Sequence, residues 1–194
     1  MKSAVCFAPL LMAVSLAAQA LPWTVQVKNA AGQPLTDAVV AVELRGKPSR
    51  TTSAKAEMGQ RDRQFTPQLL VVQTGTAVNF PNFDTVRHHV YSFSPIKVFE
   101  TKLYAGTPAA PVVFDKPGVA TLGCNIHDRM SARIVVVDTP LFARTDAKGQ
   151  AVLDLPAGEH ELLLWHASLR SDQLKSQAMV VGAEAGSTSV TLGD

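Results

Sequence analysis

"FDKPGVATLGCNIHDRMSARIVVVD", Phe114–Asp138, is the stretch on which the fold turns. It divides into a strand end at Phe114, a Lys-Pro-Gly turn and a second strand that runs to Cys124. A tight loop Cys124–Met130 follows, then a strand from Ala132 in which nearly every position is apolar. A continuous apolar run of that length, bounded by turn signals, predicts a strand buried on both faces. Working outward, the same grammar recurs. "WTVQVKN", "DAVVAVEL" and "HHVYSFS" read as strands, and "PQLLVVQTGTAVNF" as two strands about a turn at Thr74-Gly75. "QAVLDLPAGEHELLLWHA" reads as two strands about a Pro-Ala-Gly turn, and "QAMVVGAEAGSTSVTLGD" as a last hairpin. The polar stretch 45–64 reads as a linker or exposed loop leading into a short strand, and 95–111 as irregular with a helical turn. No long helical periodicity is present, so the chain reads as all-β.

The 194 residues carry a formal charge of +2 and no basic segment, which argues against a nucleic-acid partner. Residues 1–20 have the form of a secretory leader: Lys2, an apolar run from Ala4 to Ala18, and a small-x-small end at Ala18-Gln19-Ala20. Cleavage is expected before Leu21, and the mature chain is expected to be periplasmic with no membrane span. Two cysteines are present, Cys6 in the leader and Cys124. A lone cysteine in an oxidising compartment is a buried thiol, an intermolecular bridge or a metal ligand.

The loop favours the metal. Copper cycling between Cu(I) and Cu(II) takes a thiolate, two imidazoles and a long, weak thioether. Cys124, His127 and Met130 supply three of these at spacings of three and three. The missing imidazole must come from a neighbouring strand, and "FPNFDTVRHHVYSFS" offers His88 and His89. Adjacent strand residues face opposite ways, so only one of them can look at the site. Taken singly, each residue has a plainer role: Cys124 as a small buried hydrophobe, Met130 as core, His127 as a surface residue. His160, His166, Trp23 and Trp165 lie outside the pattern and read as structural. Arg129 and Arg133 flank the loop and read as solvated, or as facing an acidic patch on a partner.

The segment from about Lys55 to Asp138 resembles a cupredoxin, a blue copper domain. "NFDTVRHHV" is similar to the plastocyanin pattern Asn-x-Asp, three residues, His-Asn-Val, and Cys-x2-His-x2-Met to the short ligand loop of amicyanin-like members. The whole mature chain further resembles plastocyanin-like proteins of the methylamine utilization type. The resemblance implies a Greek-key cupredoxin β-sandwich holding one copper on His88, Cys124, His127 and Met130. It implies a one-electron carrier whose transient partners are periplasmic redox proteins. His89 stands where the family has an asparagine that braces the cysteine loop, and an imidazole there can donate one hydrogen bond. Residues 21–46 and 141–194 resemble the two parts of a small transthyretin-like sandwich, as in carboxypeptidase regulatory domains, into which the copper domain of 47–140 is expected to be inserted; the alternative is that residues 23–45 add strands to the copper domain and 141–194 pack as an appendage. A copper-binding module for storage, delivery or sensing is the alternative function. An enzyme is not expected. Of five histidines, those left after His88 and His127 form no His-x-His pair for a second copper, and a Cys–His hydrolase would leave Met130 without a role.

Overall fold

The computed structural model describes residues 19–48, 51–108, 110–127 and 129–193; nearly all of the expected leader lies outside them. Seventeen strands and no helix make up the described residues. They are β1 (Leu21–Lys28), β2 (Val39–Leu44), β3 (Lys55–Glu57), β4 (Gly59–Arg61), β5 (Gln64–Thr66), β6 (Leu69–Gln73), β7 (Thr76–Asn79), β8 (Tyr91–Ser94) and β9 (Lys97–Glu100). Then come β10 (Val112–Phe114), β11 (Gly118–Gly123), β12 (Ser131–Val137), β13 (Phe142–Arg144), β14 (Gln150–Leu155), β15 (Gly158–Trp165), β16 (Lys175–Val181) and β17 (Gly186–Thr191). The chain is all-β, as its alternation predicts. No helix of the described residues is long and apolar enough to cross a membrane.

Four sheets stack face to face. β14-β1-β17 packs on β13-β2-β15-β16, and β6-β12-β11-β8-β9 packs on β10-β7-β3, with β4-β5 as a separate hairpin. The first pair encloses Val25, Val27, Val40, Val42, Leu162 and Leu164. The second encloses Val78, Phe80, Phe114, Leu122, Ile134 and Val136. A third apolar layer joins the two sandwiches, with Val39, Ala41 and Trp165 against Val119, Val135 and Val137. β2 and β12 are therefore buried on both faces, because each supplies one sandwich core with even positions and the joining layer with odd ones. This explains the unbroken valine runs in both. Each such side chain fully removed from water contributes about 1.5–3 kcal/mol.

Three expectations are corrected. The polar stretch 45–64 is not simply a loop: it holds β3 and β4, and β4 pairs with β5 across the turn Asp62-Arg63. These strands are three residues long and largely polar, with Met58 and Phe65 as their buried anchors, so no alternation shows. The irregular stretch 95–111 contains β9, antiparallel to β8; Phe99 packs against the core while Val98 is 66% exposed, which hides the pattern. The last hairpin is no hairpin. β16 pairs with β15, whereas β17 crosses to the outer sheet and runs parallel to β1.

Candidate metal centre

The centre lies at one end of the β6–β12 sheet, where β11 stops and the loop to β12 begins. Gly123 closes β11 opposite Tyr91. A Cβ at Gly123 would lie 2.5 Å from the tyrosine ring, so only glycine allows the ring to lie over the backbone beside Cys124. Cys124 is 5% exposed and its thiol is free. The loop is closed by the Met130 N–H, which donates to the His127 carbonyl at 2.9 Å. Met130 is buried in the same apolar cluster as Cys124, and His127 is half-buried.

His88 arrives from the other side. Its backbone pairs with Tyr104 in both directions, at 3.0 and 2.9 Å. Asn82 shapes the approach: its Nδ2 donates to the Val86 and Tyr104 carbonyls, and its Oδ1 accepts the Asp84 N–H. Burial pushes the Tyr104 phenol up to about 12. It stays neutral and donates to the Phe80 carbonyl at 2.6 Å while accepting from Gln60.

Folding brings three of the four expected residues to one point. One ligand atom from each of His88, Cys124 and His127 lies within 4.8 Å of the others. Cys124 Sγ is 3.9 Å from His88 Nδ1, less than the roughly 4.3 Å that a metal–sulfur and a metal–nitrogen bond span end to end. The two imidazole rings are 5.1 Å apart at 57°. His127 Nδ1 is buried without a hydrogen-bond partner among the described residues, an unfavourable state for a polar atom unless something binds it. The donor set therefore fits one soft or borderline metal ion.

Of the doubled histidine, His88 faces the thiol, but not from a strand: the strand expected over 88–94 begins only at Tyr91, and His88 is held by an isolated bridge to Tyr104. His89 turns the other way and its Nε2 meets Glu100 Oε1 at 2.9 Å. Its Nδ1 is buried without a partner among the described residues. It does not brace the cysteine loop there as the family's asparagine would. His160 and His166 lie in the other sandwich, bonded to the Pro156 carbonyl and to Ser168 and the Thr36 carbonyl. Trp23 and Trp165 are core residues.

One participant had no role in the sequence reading. Asp84 Oδ2 lies 2.7 Å from His88 Nε2. The carboxylate also accepts the N–H groups of Asp62 and Arg63 from the β4–β5 turn, at 2.7 and 2.9 Å. Burial alone would raise its pKa, but these two N–H groups and the His88 ring outweigh it and hold the carboxyl below its usual range. The Asn-x-Asp spacing ahead of the histidine was the signal that could have found it.

No family model and no curated protein matches the chain. Solved structures do. Amicyanin from Paracoccus versutus matches with 17% identity and a TM-score of 0.39 over 50% of this chain and 91% of its own. A novel purple cupredoxin from Nitrosopumilus maritimus matches with 21% identity and a TM-score of 0.37 over 44% of this chain and all of its own. A copper-containing nitrite reductase from Thermus scotoductus SA-01 matches with 23% identity and a TM-score of 0.40 over 51% of this chain, which spans 25% of that protein. At such TM-scores the likenesses add no argument to the geometry.

Proposed function

We propose that the chain is an exported type 1 copper protein that carries one electron at a time. Cys124, His88 and His127 would hold the ion strongly, and Met130 would lend it a weak thioether. The observation that carries this reading is the convergence of a buried thiol and two imidazoles within 4.8 Å, from a loop and a separate segment, inside an apolar core. Copper, when bound, supplies the change between Cu(I) and Cu(II). The rest falls to the chain. β11 and β12 fix the two ends of the Cys124–Met130 loop, so the ligands are in place before the metal and need not move with its charge. Leu122, Phe114 and Ile134 keep water from the thiolate side. His127, the most exposed of the three ligands, offers the edge through which an electron enters and leaves. Small, short-lived contacts with other periplasmic redox proteins suit that edge. The chain is not an enzyme on this reading. Its 47–140 segment is a cupredoxin domain inserted into a transthyretin-like sandwich of 21–46 and 141–194, which serves docking or architecture.

Loading the mature chain with Cu(II) and titrating it with ascorbate and ferricyanide tests the reading. One copper per chain, a reversible one-electron couple and fast self-exchange are expected. Tight copper with slow self-exchange would replace the carrier by a storage or delivery module.

A further inference from the structure

Asp84 is held more firmly than a surface carboxylate needs to be. Its side chain is 13% exposed. Asn82 Oδ1 accepts its backbone N–H at 2.9 Å. The Asp62 N–H donates to Oδ1, and the Arg63 N–H donates to Oδ2, the oxygen that also meets His88. Both of those residues are in the left-handed region, with φ of 53° and 59°, a conformation that non-glycine side chains resist. Consecutive N–H groups presented by such a turn form a small anion-binding concavity. Here the concavity is filled by the carboxylate that meets the ring of His88.

We propose that Asp84 is a positioning residue for the metal, clamped by the Asp62-Arg63 turn. It accepts the Nε2–H of His88, holds the imidazole in the tautomer whose Nδ1 lone pair faces Cys124, and sets a negative charge one ring away that favours Cu(II) over Cu(I). The tautomer of a ligating histidine is fixed by the bond its other nitrogen makes, and such outer partners change metal affinity by about 10–100-fold. The inference rests on His88 being a ligand, and the first readout below needs no metal.

In the metal-free full chain, nitrogen NMR above neutral pH reads the tautomer directly. The native protein shows His88 protonated on Nε2 alone, and Asp84→Ala shows a mixture or the reverse. An unchanged single tautomer in Asp84→Ala overturns the proposal, whether or not copper binds. In the copper-loaded chain, Asp84→Asn keeps the size, loses the charge and leaves one acceptor oxygen in place of two. It weakens Cu(II) binding about 10–100-fold and Cu(I) binding less, so the potential rises by about 59 mV for each tenfold change in their ratio. Equal weakening of both oxidation states marks a merely structural residue and overturns the proposal. Asp84→Glu restores part of the native potential. Asp62→Asn with Arg63→Gly keeps both N–H groups while relieving the left-handed turn, and leaves tautomer and potential as they were. A shift as large as that of Asp84→Asn would assign control to the turn's strain and overturn the role given to the charge.

Discussion

The two sandwiches are built from the same material and differ in what they bury. Of the eleven polar residues buried among those described, eight belong to the sandwich of β3–β12: Gln60, Thr74, Thr76, Asn82, His88, His89, Ser92 and Ser94. The other sandwich buries Thr145 and His160, and Thr139 lies between the two. A buried polar group costs free energy unless it is bonded, so a core that needs only stability stays apolar. The core around Val40 and Leu162 does so. The other core takes on an imidazole, an amide and a thiol at one end, where Asn82, Asp84 and Tyr104 hold the segment of His88. Stability alone explains the first core, whereas the second has to be explained by its chemistry.

The largest effect expected from breaking this contrast is at the histidines. His127 and His160 each bury an Nδ1 without a partner among the described residues. Under the copper reading His127→Ala lowers Cu(II) affinity by more than the roughly 100-fold that an outer partner can command, while His160→Ala leaves it unchanged. Equal affinities by isothermal titration in the two variants would erase the distinction. Next in size are paired truncations of the cores. Leu122 and Leu164 are fully buried in the two sandwiches, and Leu→Ala at either costs about 2–5 kcal/mol in chemical denaturation. The visible spectrum of the copper-loaded protein changes for Leu122→Ala, two residues before the thiol, and not for Leu164→Ala. A smaller and sharper effect belongs to Met130→Leu, which under the copper reading raises the potential and keeps the colour, since only a weak thioether would be lost. Loss of all copper from that variant would mean that Met130 is more than an axial ligand.

The smallest effect belongs to the apolar sandwich. Glu43 and Glu161 are directly opposite on β2 and β15. Burial, then Glu161 and Asp138, raises the pKa of Glu43 above 4.5. The folded state then holds a proton that the unfolded chain has released, so this residue's contribution to stability falls as pH rises from about 4.5 through the raised value. Glu43→Gln flattens that slope and, by relieving like charges across the pair, stabilises the neutral protein by about 0.2–1 kcal/mol. A steeper slope in pH-dependent melting would contradict the assignment.

Legibility in the sequence followed the same divide. The strands of both cores were readable because alternation and valine runs record which faces are buried, as in β2, β12, β14 and β15. The Cys124–Met130 loop was readable because three ligand types at fixed spacing are rare together. The choice of His88 over His89 came from a resemblance, since the strand expected to carry both starts only at Tyr91. What stayed hidden was set by partners far along the chain. Nothing in "EAGSTSVTLG" says that β17 leaves β16 for β1. Nothing in Asp62-Arg63, which lacks the Asn-Gly that such a turn favours, marks a clamp for a carboxylate about twenty residues on. Positive φ at both positions is what the two-residue turn between β4 and β5 requires, and Asp84 accepts the N–H groups that this turn presents.

The visible absorption spectrum of the mature chain after one equivalent of Cu(II) tests the central claim most directly, because an intense thiolate-to-copper band requires Cys124 sulfur on the metal together with the imidazoles. The account predicts a strongly coloured protein whose band bleaches on reduction and returns on oxidation. A colourless protein with copper only loosely held would contradict it.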